Sequence, residues 1–91
     1  MSRQTIADPQ EMKRFAATLR SFRSELEAST TRLHGRARQL ASTWRDQDHA
    51  RFEAALNEMI RQMKKFGPEA DGYARVLDKK ADLIIQAQNT R

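Results

Sequence analysis

Two runs of large apolar residues, each advancing by threes and fours and separated by a lone Trp, most narrow the folds open to this chain. In the first, Met12, Phe15, Leu19, Phe22, Leu26, Leu33, Leu40 and Trp44 keep helical spacing, with Thr30 and Ala37 filling the gaps. In the second, Phe52, Leu56, Met59, Met63, Phe66, Ala70, Tyr73, Leu77 and Ile84 do the same, with Ala81 in the gap. Side chains three and four apart line one side of an α-helix, and a heptad-like series of them is a seam for another helix. The spacing therefore predicts an all-α fold, an antiparallel two-helix hairpin folded about Trp44.

Local signals set the boundaries. Asp8-Pro9-Gln10-Glu11 is a helix start: an N-cap carboxylate, Pro at the first helical position, and Glu three residues after the cap. The first helix is expected over about residues 9–43, some 50 Å at roughly 1.5 Å per residue. Ser29-Thr30-Thr31 and Gly35 weaken its middle, yet the stripe continues beyond them with a shift of phase after Leu26. The bend is placed at 44–46. Asp46 caps the second helix and Asp48 is favoured in its first turn by the helix dipole. That helix is expected over about residues 47–87 and crosses Gly67-Pro68 in register. Proline inside a helix removes one backbone hydrogen bond and crowds the preceding turn, so a kink or local break is expected at 64–68, with two shorter in-line helices as the alternative. Asn89-Thr90-Arg91 is expected to fray.

A hairpin of 91 residues cannot surround its own apolar surface. The second helix also carries Ile60, Val76, Leu83 and Ile85 off the main stripe, and the first helix cannot cover them all. A second hairpin would complete a four-helix bundle, so the expected partner is another copy of the chain or a related hairpin. With 38% apolar and 32% charged residues the chain has the balance of a folded helical domain, and the lack of cysteine excludes disulfides and thiolate metal sites. Met1 to Asp8 lacks the apolar run of a cleavable signal peptide, and no stretch approaches the roughly 20 apolar residues of a membrane span. Synthesis as a soluble cytoplasmic product is the expectation, which leaves later export open.

The residues offer little to catalysis. His34 and His49 lie on different helices without metal-ligand spacing, and Asp46 with Asp48 is explained by a capped first turn. No Gly-rich phosphate loop or nucleophile elbow is present, so no enzyme activity, metal or cofactor is expected. Met12, Met59 and Met63 read as seam filling. Seventeen basic against twelve acidic residues leave a net charge of +5, concentrated before the bend. Arg32, Arg36 and Arg38, beside His34, are the candidate for a rival function, contact with nucleic-acid phosphates. Against it, cations near a helix C-terminus are favoured by the dipole, and all six aromatic residues fall on the two stripes, leaving none to stack on bases.

With about 100 residues or fewer, no cysteine, no signal peptide, two seamed helices, and Trp44-Arg45-Asp46 at the turn followed by Phe52, the chain resembles the Trp-x-Gly family of small helical hairpins, substrates and partners of type VII secretion systems related to the early secreted antigenic target of mycobacteria. It most resembles divergent members with Trp-x-Asp at the turn. The resemblance covers nearly the whole chain. It implies an antiparallel homodimer or heterodimer forming a four-helix bundle, and export of the folded protein, without a cleaved signal peptide, through a membrane complex driven by a hexameric ATPase. It implies further that Trp44 lines the cleft at the turn as a recognition surface for partner or machine, with Arg45 and Asp46 shaping the bend. The family's export signal, Tyr-x-x-x-Asp/Glu after the second helix, is degenerate here: Tyr73 is followed four residues later by Leu77, with Asp78 one position late. Tyr73 is read as a core residue of the seam. The resemblance then implies that the chain travels with a partner bearing the signal, or serves as adaptor for a larger secreted cargo.

Overall fold

The computed structural model describes residues 7–89; Met1 to Ile6, Thr90 and Arg91 lie outside it, and with them the expectations for the extreme N-terminus and for fraying at Thr90 and Arg91. Helix α1 spans Pro9–Ala41 and helix α2 Gln47–Asn89. They pack side by side, antiparallel, as a rod 70 × 18 × 18 Å with a radius of gyration of 20.8 Å. A globular chain of this length would have a radius of gyration of about 12 Å. The surface tells the same story: 7247 Å² is exposed, where a compact protein of this mass exposes about 5,400 Å².

The ends of the helices follow from the sequence. The Asp8 carboxylate accepts from the Gln10 backbone N–H at 2.9 Å, and Pro9 occupies the first turn, where its missing N–H costs nothing. Glu11 does not reach back to the cap; it pairs with Arg14. At the bend the Leu40 carbonyl accepts from both Thr43 and Trp44 at 3.0 Å. Asp46 caps α2, its carboxylate accepting from the His49 N–H at 3.0 Å. Beyond it, α2 runs unbroken through Pro68, so the in-line pair of shorter helices does not form.

The seam is built from small residues. With Ala16 at heptad position a and Leu19 at d, α1 carries Ala16, Arg23, Thr30 and Ala37 at a, and Met12, Leu19, Leu26 and Leu33 at d; α2 carries Ile60, Gly67, Ala74 and Ala81 at a, and Leu56, Met63, Ala70, Leu77 and Ile84 at d. Ala16, Thr30, Ile60, Gly67, Ala70, Ala74 and Ala81 are buried, and among the described residues no large side chain is fully enclosed. Alanine and glycine let two backbones approach closely, leaving the leucines half-covered at the edges. The a/d series is regular from Met12 to Ala37. The phase shift expected after Leu26 is therefore absent; it came from counting Phe15 and Phe22 with the inner seam, whereas both lie outside it.

One seam layer holds a charge. Arg23, at an a position, passes over Gly67 and reaches Asp71 at 3.4 Å. A Cβ at residue 67 would lie 2.8 Å from the Arg23 Nε, so glycine there makes room for the guanidinium stem. Gly35 has open space around its missing Cβ and an ordinary helical backbone.

These two glycines should part company on mutation. Gly35→Ala is expected to stabilise the protein by about 0.5–1 kcal/mol, since it removes helix-interior glycine without a clash. Gly67→Ala should give no such gain in the wild type and recover it in an Arg23→Ala background. Urea unfolding of the four variants measures this as a coupling of about 0.5 kcal/mol or more.

Candidate functional site

Because the seam admits only small side chains, the large ones are displaced to one flank. In an antiparallel helix pair the g positions of the two helices share one flank and the e positions the other. Phe15 and Phe22 occupy g on α1; Phe52, Met59, Phe66 and Tyr73 occupy g on α2. All six are exposed, Phe15 to 56%, Phe22 and Phe66 to 51% and Tyr73 to 64%. Val76 and Leu83, at c, extend the apolar surface round the outer side of α2 and are equally open. Of the stripe residues read from the sequence, Met12, Leu19, Leu26, Leu33, Leu56, Met63, Leu77 and Ile84 are half-buried between the helices, while Phe15, Phe22, Phe52, Met59, Phe66 and Tyr73 face outward. Leu40, near the bend, is exposed as well. Tyr73, expected in the dry seam, is among the most exposed of all.

The opposite flank is charged. Lys13 donates to Asp82 at 2.8 Å and Arg20 to Asp78 at 2.6 Å, both across the hairpin, and Arg23–Asp71 continues the series. Hydrogen bonding to Asp82 raises the Lys13 pKa above its ordinary value. Such exposed pairs are screened by solvent and add little stability, so their main effect is to fix helix register. Sequence reading missed this ladder, although Lys13 with Arg20 and Asp71 with Asp78, each seven apart, were its visible signal. A groove of about 490 Å³ opens on this flank at mid-length, between Leu26, Thr30 and His34 of α1 and Ile60, Met63 and Lys64 of α2.

The apolar face ends at the bend in an aromatic cluster. The half-buried Trp44 indole meets the His49 ring edge-on, centroids 5.1 Å apart at 65°, and the Phe52 ring at 5.5 Å and 40°. Asp46 ties down the backbone between them, and Arg45 projects into solvent. His49 is the member that sequence reading had considered only as a metal ligand. Trp44, Arg45, Asp46 and Phe52 are thus brought together at one tip of the rod, on the same flank as Phe66 and Tyr73.

The remaining candidates are spread out. Arg32, Arg36 and Arg38 lie exposed along α1, Arg32 donating to the Ser29 hydroxyl at 2.9 Å. Tyr73 is exposed, but Asp78 is engaged by Arg20 on the charged flank, so the two do not form one surface signal. Among the described residues no group of three potential ligands gathers round a metal position, and no helix is long and apolar enough to cross a membrane.

Replacing Asp46 by Ala is expected to cost about 1 kcal/mol, through loss of the α2 cap. The same substitution should weaken protection of the His49 amide in hydrogen exchange, while amides at the middle of α1 keep theirs.

The comparisons with known proteins agree with this geometry. The family described as proteins of 100 residues with WXG (WXG100) matches residues 4–88. No curated protein sequence matches the chain. Among solved structures, forms of the secreted protein EsxB of Bacillus anthracis str. Sterne are similar to this chain. The selenomethionine-labelled protein shares 24% identity over 98% of this chain and 100% of its own, with a TM-score of 0.81. A glutamate-to-glutamine mutant shares 22% over 91% and 99%, TM-score 0.81, and the wild type 21% over 93% and 99%, TM-score 0.81. Identities this low speak to fold, and the fold they share is the two-helix hairpin. Neither they nor the family match lends support to the nucleic-acid alternative. Trp44-Arg45-Asp46 stands at the bend, and the family match spans both helices: the chain belongs to the WXG100 family.

Proposed function

We propose that this chain is a non-enzymatic interaction protein of a type VII-like secretion system, a hairpin that pairs through its apolar flank with a second hairpin and presents its Trp44 bend to cargo or apparatus. The observation that carries the reading is the row of exposed aromatic side chains on one flank, with the other flank charged. Single exposed apolar residues are commonplace on soluble proteins; a continuous row of six aligned over some 40 Å marks a surface meant to be covered. The family match and the likeness to a secreted protein support the secretion setting.

The division of labour follows from position. The apolar flank is long and flat, suited to another helix pair. The Trp44 tip, with His49 and Phe52 against the indole, is compact, held by the Asp46 cap, and free to be read by a larger protein. Tyr73 and Asp78 do not make up the family's Tyr-x-x-x-Asp/Glu signal, which favours a hairpin that travels with a partner bearing the signal or serves as adaptor for a larger cargo, with a secretion ATPase driving the route.

Seam and flank should respond differently to mutation. Leu19→Asp places a charge between the helices and is expected to unfold and dissociate the protein together. Phe22→Ser with Phe66→Ser should leave helix content at low temperature and abolish association, as read by circular dichroism and sedimentation. A doubly substituted chain that associates as before would refute pairing through this flank. For the tip, Trp44→Ala is expected to keep fold and mass while export or cargo release into culture medium falls at least about tenfold in cells carrying the apparatus, since a buried aromatic anchor contributes 2 kcal/mol or more. Unchanged export would remove the recognition role.

A further inference from the structure

We infer that the groove on the charged flank is a binding site for a free medium-chain fatty acid, its carboxylate held between Lys64 and His34 and its alkyl tail laid along Leu26, Met63 and the Pro68 ring.

The groove opens where the cross-helix ladder stops. Lys13–Asp82, Arg20–Asp78 and Arg23–Asp71 close this flank from the Asp8 end, and nearer the bend no further ion pair joins α1 to α2 among the described residues. The seam is thin at that point: Thr30 is small, Gly67 brings no side chain, and the Arg23 stem that covers Gly67 is turned toward Asp71. The space left over is about 490 Å³, and Leu26, Ile60, Met63 and Pro68 give it apolar walls. That volume lies within the roughly 300–1,000 Å³ of small-molecule sites, which are mostly apolar with a few converging polar groups. From Leu26 to His34 it runs about 12 Å at roughly 1.5 Å per residue, room for one alkyl chain. Pairing through the aromatic flank leaves this opposite flank in water, so the groove stays accessible in a paired molecule.

The polar groups of the groove are sorted along its length. Helical side chains lean toward the start of their own helix, so the two walls of an antiparallel pair lean opposite ways. Lys64 on α2 leans toward the bend. His34 on α1 stands about three residues nearer the bend in the register set by Lys13–Asp82 and Arg20–Asp78, and it leans back. An ammonium and an imidazole N–H therefore converge on one spot, and neither side chain has a hydrogen bond or ion pair among the described residues. Acceptors gather at the other end. Glu27 leans toward Asp8, and Pro68 has no N–H to offer the Lys64 carbonyl, which points the same way along α2. Donors at one end, acceptors at the other and an apolar floor between them admit an amphipathic anion one way round. The net charge of +5 favours an anion over a cation at this surface.

Decanoate below its micelle-forming concentration is the probe, titrated into the full chain. It should bind one to one with a dissociation constant on the order of 100 µM. In nuclear magnetic resonance the methyl signals of Ile60 and Met63 should shift, while the ring signals of Phe22 and Phe66 on the opposite flank stay in place. Lys64→Gln, at an exposed position, should weaken decanoate about tenfold and leave decanol, which has the tail without the charge, bound as before. Thr31→Trp, exposed on the groove rim, should keep the helical circular dichroism spectrum and exclude both compounds. Four results overturn the assignment: no binding of decanoate, shifts of the Phe22 and Phe66 rings in place of Ile60 and Met63, equal affinity in Lys64→Gln, or decyltrimethylammonium binding as tightly as decanoate.

Discussion

The close approach of two helices over small side chains governs everything else in this molecule. Ala16, Thr30, Gly67, Ala70, Ala74 and Ala81 are nearly the whole of the buried set, and Ile60 is the one bulky member. A seam lined this way gains dispersion contact between backbones and loses the volume that would hold aromatic rings. The rings are therefore excluded from the interior by the same residues that hold the interior together. Apolar exposure is here a product of how the hairpin closes, and it falls on one flank because the other is committed to cross-helix ion pairs.

Those ion pairs matter for order more than for strength. Exposed pairs such as Lys13–Asp82 and Arg20–Asp78 contribute little individually, but a slide of one helix by a turn would break them together. An alanine-lined seam is smooth and discriminates poorly between registers. The charged ladder, with Arg23 lodged over Gly67 toward Asp71, supplies the discrimination that the small residues lack. A fixed register then keeps Phe22 level with Tyr73 and brings Phe52 against Trp44.

The hairpin was legible in the sequence because its signals are local. Asp8 with Pro9, and Asp46 after Trp44, are caps recognisable within a few residues, and steps of three and four mark both helices. The split between inner and outer surfaces was not legible in the same way. Phe15 stands three residues after Met12 and Phe22 three after Leu19, a spacing that suits a seam position as well as a flank. What sends the rings outward is the smallness of the residues met across the interface, a property of the helix pair that neither helix shows alone. Tyr73 was misplaced in the core for that reason. The passage of α2 through Pro68 was equally hard to foresee. Local chemistry argues for a break there, and tertiary packing along the whole length of α1 overrides it. The bend cluster was half legible: Trp44 and Phe52 announced themselves, while His49 joins them only because the Asp46 cap turns the first residues of α2 toward the indole.

The hairpin topology has a practical geometric corollary. α1 begins and α2 ends at the same extremity of a 70 Å rod, and the indole sits at the other. Anything tethered near Asp8 or Asn89, whether an engineered label, a bead or a covalently attached passenger, hangs roughly 50 Å or roughly 65 Å from Trp44, the lengths of α1 and α2 at about 1.5 Å per residue. The molecule can be held by its tail with its head unobstructed, so immobilised or fused forms should display the Trp44 tip as openly as the untethered chain does.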